Sequence, residues 1–220
     1  MTTTVAATPG PPAQIVERGD PNRRIVALTF DAGSDTGFAA QILDILGRER
    51  IRATFGMTGV WAEQNPDLVR RMATEGYQLV NHSYDHRSFT GRSSNSAPLN
   101  EQQRHDEIQR AEDIIHQLTG RTTRPWFRSP YGDYDASVNA AIGTAGYRYN
   151  ALWTVDSLGW MHLPADQITQ RCLTRAVPGA IYLFHVGSQS QDAAALPAII
   201  AGLRQSGYSF GTLSEVTGLQ

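Results

Sequence analysis

With 220 residues, 40% of them hydrophobic and 18% charged, the chain has enough apolar mass for one well-buried core and the length of a single large α/β domain. Its 19 basic and 21 acidic residues leave a formal charge of −2 with no clustered run of either sign, which excludes a nucleic-acid footprint. No apolar run reaches the roughly 18 residues of a membrane span, so no membrane insertion is expected.

Residues 1–12 are small, Thr/Ala-rich and end in prolines, a linker composition without the basic and apolar regions of a signal peptide. A trimmed export signal and a natural leader both leave such a composition. The expected organisation is a flexible N-terminal tail over 1–22 and one domain over 23–220. Arg24 to Phe30 is β-branched and apolar and stops at Asp31-Ala32-Gly33, a buried strand that delivers a carboxylate at its C-terminal end. Thr36 to Arg48 carries Phe38, Ile42, Ile45 and Leu46 at helical spacing, with Thr36 as a cap. Ile51 to Met57 is a second strand, Pro66 to Glu75 a helix with proline in its first turn, and Tyr77 to Val80 a third strand. This strand, helix, strand rhythm argues for parallel pairing.

Residues 87–100 form a loop rich in Ser, Asn and Gly, too polar to be buried and placed to rim a cleft. Asn100 to Leu118 is an amphipathic helix that ends at Gly120. Pro125 to Tyr131 reads as a strand entering a proline-constrained turn. Asp135 to Gly146 is a helix, Tyr147 to Val155 a strand stopping at Asp156, and Pro164 to Ala176 a helix. Ala180 to His185 is a strand, Asp192 to Ser206 a helix, and Tyr208 to Leu213 the last strand. The lone cysteine, Cys172, lies in a helical stretch and reads as a buried structural thiol.

His82 and His86 follow the third strand four residues apart, a spacing that puts both rings on one face of a helical turn and both nitrogens within reach of one ion. Spacing alone leaves two solvated loop histidines equally open. Asp31, His82, Arg128, Asp156 and His185 all fall just after strand ends, however, and parallel strands open their C-termini on one face. That coincidence favours a site. Taken singly, Asp31 reads as a turn residue, His185 as a core histidine and Arg128 as an ion-pair partner for Asp31 or Asp156. His105 and His116 lie on a charged helix and are expected to be solvated, and His162 lacks a strand-end placement. Trp61, Trp126 and Trp153 are expected in core or rim packing.

In chain order, TFDAG (29–33), HSYDH (82–86), RSPYG (128–132), DSLGW (156–160) and IYLFH (181–185) resemble the five motifs of the polysaccharide deacetylase family, carbohydrate esterase family four. The resemblance runs from about Arg24 to Leu213. It implies a distorted (β/α) barrel of about seven strands and removal of an N- or O-acetyl group from an acetylated glycan such as chitin or peptidoglycan. One divalent metal is implied, zinc first, with cobalt, nickel and manganese also open. By the same resemblance His82 and His86 are metal ligands, Asp31 the general base, His185 the general acid, and Arg128 the residue that orients the base. The Tyr131 N–H is the implied oxyanion donor, and Trp160 with Leu183 walls a slot for the acetyl methyl. Tyr84 and Trp61, near the expected mouth, are candidates for stacking on a sugar ring. A secreted or cell-envelope location is implied as well; oligomeric state stays open, with a monomer plausible.

Two positions depart from the family's pattern. Where the third metal ligand is usual the chain has Ala32, so either Asp31 or Asp35 is expected to complete the coordination sphere, with water as a further possibility. Where an aspartate usually partners the catalytic histidine the chain has Gly159, and Asp156 is the expected stand-in. A divergent active enzyme and a decayed one both fit these changes. Three functions therefore stand: a glycan deacetylase, a hydrolase of a non-sugar amide or imide, and a non-catalytic glycan-binding protein.

Overall fold

The computed structural model describes residues 10–220. Its nine strands are β1 (Gln14–Val16), β2 (Ile25–Ala32), β3 (Thr54–Met57), β4 (Gln78–Asn81), β5 (Trp126–Phe127), β6 (Tyr149–Ala151), β7 (Val155–Asp156), β8 (Ile181–His185) and β9 (Ser209–Gly211). Eight run in the order β1-β6-β5-β4-β3-β2-β8-β7, and β9 pairs with the first half of β2. Every strand pairing is parallel. The expected distorted barrel is thus present, with two more strands than the seven anticipated.

Among the described residues eight α-helices connect or flank the strands: α1 (Ala39–Glu49), α2 (Gly59–Gln64), α3 (Pro66–Thr74), α4 (Glu101–Thr119), α5 (Ala136–Thr144), α6 (Ala165–Thr174), α7 (Asp192–Gln205) and α8 (Leu213–Thr217). The largest core lies between the outer face of the sheet and α1, α3, α6 and α7, where Phe30 stacks on Phe55 and Phe184. Helix α4 starts on a capping box in which Asn100 and Gln103 satisfy each other's backbone N–H, and it stops at left-handed Gly120. Cys172 is buried as expected, and burial pushes its thiol up to about 12.

Four expectations change. The tail expected over 1–22 is partly docked: β1 pairs with β6, Ala13 and Val16 are buried, and Arg18 bridges to Ala180. Residues 1–9 of that expected tail lie outside the described residues. Second, the single strand expected over 147–155 is two strands at opposite ends of the sheet. Leu152 N–H bonds to the Val16 carbonyl and Thr154 N–H to the Ile181 carbonyl, so this short link draws the two sheet edges together. Third, Leu213 opens a helix instead of ending a strand, because Thr212 and Glu215 form a second capping box. Thr36 is no cap either; its hydroxyl donates to Asn65 Oδ1 and α1 begins at Ala39.

Candidate active site

Strand periodicity decides what faces the centre. Along β2, Val26, Leu28, Phe30 and Ala32 pack into the large core, so Ala27, Thr29 and Asp31 face inward. On β8, Tyr182 and Phe184 point outward, and Ile181, Leu183 and His185 inward. Parallel register sets Asp31 beside His185, and His82 follows directly on β4. A cleft of about 850 Å³ opens over these strand ends. Asp31, His82, His86, Tyr131, Leu183 and His185 line it.

Arg128 lies at the end of β5, 1% exposed, beneath this cleft. Its Nη1 donates to Asp31 Oδ1 at 2.6 Å, its Nη2 to Thr29 Oγ1 at 2.9 Å, and its Nε to the Ala151 carbonyl at 3.1 Å. Burial alone would raise the Asp31 pKa. The Arg128 guanidinium, aided by His185, outweighs it and holds the carboxyl below the usual carboxylate range.

His82 Nδ1 lies 2.9 Å from the Arg128 carbonyl, which can only accept, so that nitrogen carries the proton and a neutral ring has its lone pair on Nε2. Nε2 is 3.4 Å from Asp31 Oδ2. Burial pushes the His82 pKa down, which leaves two electron-pair donors facing each other: an arrangement that a cation satisfies. The His86 ring meets His82 edge-on, with centroids 4.7 Å apart, and burial pushes its pKa down to about 3. The pair does not converge through a helical turn, as the spacing suggested. Ser83 and His86 take left-handed backbone conformations, φ 67° and 65°, and the loop curls between them.

Two residues that sequence reasoning passed over hold this loop. Glu107 on α4, 4% exposed, accepts from the Tyr84 and Asp85 backbone N–H groups and from Arg87 Nη2. Asn81 Oδ1 accepts from Ser83 N–H, while its Nδ2 donates to the Ile108 carbonyl and to the Tyr147 hydroxyl. His185 donates its backbone N–H to Asp192 Oδ2 at 2.8 Å. Burial would lower the His185 pKa, but the Asp192 and Asp31 carboxylates outweigh it and raise it.

A family model described as polysaccharide deacetylase matches residues 18–150. The chain belongs to the polysaccharide deacetylase family. It is 34% identical over 201 residues to a peptidoglycan-N-acetylglucosamine deacetylase of Bacillus cereus, covering 90% of this chain and 70% of that one. It is 32% identical over 212 residues to a chitooligosaccharide deacetylase of Rhizobium leguminosarum bv. trifolii, covering 90% and 94%. The solved structure of a CE4 family pseudoenzyme from Bacillus anthracis superposes with a TM-score of 0.84 at 28% identity, covering 94% of this chain and 69% of that one.

Polysaccharide deacetylases are generally metal-dependent. Among the described residues no group of three His, Cys, Asp or Glu side chains is arranged to hold a metal ion. The donor chemistry nevertheless suits a cation: the buried neutral imidazole of His82, the half-buried neutral one of His86 and an ionised carboxylate, with His82 Nε2 and Asp31 Oδ2 already facing each other. Ala32 points into the large core, away from the cleft. The alternative ligand Asp35 is placed elsewhere: its carboxylate accepts the Ser188 N–H at 2.8 Å and the Ser188 hydroxyl, which lowers its pKa.

Asp156 does not partner His185. Its Oδ1 takes the Leu158 N–H and its Oδ2 the Trp160 indole at 3.2 Å. Trp160, 54% exposed, stands at the cleft rim, and Leu183 lies buried in its wall. Tyr131, with φ 61°, is the middle residue of the turn Pro130–Gly132, whose hydrogen bonds come from the Gly132 and Asp133 N–H groups and not from its own. Tyr84 is absent from the cleft wall: Arg110 stacks on its ring at 3.5 Å and its hydroxyl bonds Glu63. Trp61 is fully buried, its indole donating to the Asp35 carbonyl. Trp153 and His162, by contrast, do line the cleft. Part of the 87–100 loop is buried too; Phe89 joins the core, and Ser88 and Thr90 donate to Asp133.

Proposed function

We propose that this chain is a metal-dependent deacetylase that hydrolyses N- or O-acetyl groups on a chitin-like or peptidoglycan-like glycan. The observation that carries this reading is the convergence of Asp31, His82, His86 and His185 on one cleft with Arg128 buried behind Asp31. In this reading His82, His86 and Asp31 hold one divalent cation, zinc first. The bound ion supplies polarisation of the acetyl carbonyl and acidification of water. Asp31, kept ionised by Arg128, accepts the proton of the attacking water. The Tyr131 N–H receives the developing oxyanion, and His185 protonates the departing amine or alcohol. Trp160 and Leu183 flank the acetyl group, and Asp156 fixes the Trp160 indole.

One catalytic domain, from β1 to residue 220, fits this role, since β1 is part of the same sheet. An extracellular or envelope location suits a glycan substrate and follows the cell-wall relatives; no helix among the described residues is long and apolar enough to cross a membrane. Elemental analysis paired with acetate release from N-acetylated chitooligosaccharides and from peptidoglycan tests the proposal. One equivalent of metal with acetate release is expected. Metal without acetate release would point instead to a non-sugar amide or imide. Glycan binding with neither would make this chain a non-catalytic relative, as the B. anthracis protein is described.

A further inference from the structure

We infer that Asp192, at the start of α7, is the carboxylate that positions His185, and that position 159 is glycine because this carboxylate occupies the space a side chain there would need. The inference rests on His185 acting as proton donor in the proposed reaction. Three observations meet at this point. Asp192 is fully buried and accepts the backbone N–H of His185 itself, so the carboxylate is fixed relative to the ring it faces. His185 Nδ1 lies 3.8 Å from Asp192 Oδ2, about 1 Å beyond a hydrogen bond. Among the described residues, His185 Nδ1 and Asp192 Oδ1 are two of only three buried side-chain polar atoms without a hydrogen-bond partner. The unsatisfied Nδ1 thus faces a carboxylate that already holds the same residue's backbone through Oδ2, and a buried donor left without a partner is costly, so a modest turn of the imidazole toward Asp192 is favoured.

The other acidic residues around the cleft are committed. Asp31 is held by Arg128, and both oxygens of Asp156 by Leu158 and Trp160. A Cβ at Gly159 would stand 2.6 Å from Asp192 Oδ1 and would also collide with Ser190 Oγ, the atom that accepts the Asp192 N–H. Carboxylate and side chain at 159 are therefore mutually exclusive. With Nδ1 turned to Asp192, Nε2 of His185 faces the cleft and is the atom that hands its proton to the leaving group. Asp192 is a positioning residue, not one that touches substrate.

The test combines kinetics with the imidazole tautomer read by 15N NMR. In the wild type the neutral His185 ring is expected as the Nδ1–H tautomer. Asp192→Ala should lower kcat about 10- to 100-fold with little change in KM and should shift the tautomer toward Nε2–H. Asp192→Asn, which keeps the volume, tests the kinetic effect should the alanine variant not fold. Gly159→Asp combined with Ser190→Ala and Asp192→Ala moves the carboxylate across the same space and should restore part of kcat, which a merely structural role for Asp192 would not allow. Wild-type kcat in Asp192→Asn, or an unchanged tautomer in a folded Asp192→Ala, overturns the inference. If the wild-type protein releases no acetate, the deacetylase reading fails, yet the tautomer comparison still decides whether Asp192 pairs with His185.

Discussion

Arg128 Nη1 donates to Asp31 Oδ1 at 2.6 Å in a contact where neither side chain is more than 8% exposed. Removing one member of such a pair strands a charge in the interior. Arg128→Met is expected to destabilise the fold by about 3–5 kcal/mol at neutral pH and to abolish activity. The sign with pH is specific. In the wild type the Asp31 pKa is depressed, so its stabilisation is present above the ordinary carboxylate range and is lost as pH falls through the folded value. Without Arg128, burial raises that pKa, and Asp31 escapes the penalty by taking a proton. The stability gap between wild type and variant, read from urea melts, should therefore shrink from pH 7 to pH 5.

His86 gives a second pH dependence with its own sign. Burial pushes its pKa down to about 3 in the folded protein, against an unfolded value of 6.5. Between these limits the unfolded chain binds the extra proton. Metal-free protein should therefore lose stability as pH falls below 6.5, at up to about 1.4 kcal/mol per pH unit from this group. His86→Phe should flatten that slope in thermal melts between pH 7 and 4. An unaltered slope would mean that the ring titrates freely.

Glu107 anchors the loop between the two histidines through the Tyr84 and Asp85 backbone and Arg87. Glu107→Ala removes all three bonds without touching either imidazole. Zinc affinity, measured by competition with a chromophoric chelator, should fall about 10- to 100-fold, the usual effect of losing a group that orients ligands. Secondary structure should stay as in the wild type. Equal affinity in wild type and variant would show that the left-handed residues Ser83 and His86 hold the loop unaided.

Much of this was legible in the sequence because burial on both faces leaves a clear mark. The runs 25–30 and 181–184 are largely apolar and are followed at once by Asp31 and His185, and parallel pairing brings these two side by side. The break inside 147–155 had no such mark, since Leu152 to Thr154 differ little from strand residues. Only their hydrogen bonds to Val16 and Ile181, distant in sequence, split the run. Asp192 was hidden for a related reason. Its position at a helix start is what capping alone predicts, and nothing local connects it with Gly159, 33 positions earlier in the chain. Tyr84 was misread because its neighbours Glu63 and Arg110 come from α2 and α4, and α2 carried no clear helical signal.

Trp160 and Tyr84 separate a ring that meets substrate from one that only packs. Trp160 is 54% exposed at the cleft rim, its indole steered by Asp156 Oδ2. Packing an acetyl methyl against this apolar face contributes on the order of 0.8 kcal/mol. Trp160→Ala should therefore raise KM for an acetylated oligosaccharide about 3- to 10-fold with kcat nearly unchanged. Trp160→Phe should recover most of the loss by keeping the apolar face, although it cannot donate to Asp156. Tyr84→Phe removes only a hydroxyl that bonds Glu63 and leaves the ring under Arg110. Its KM and kcat should match the wild type. If Tyr84→Phe raises KM as much as Trp160→Ala does, the glycan runs over the α2–α4 face instead of along the Trp160 rim.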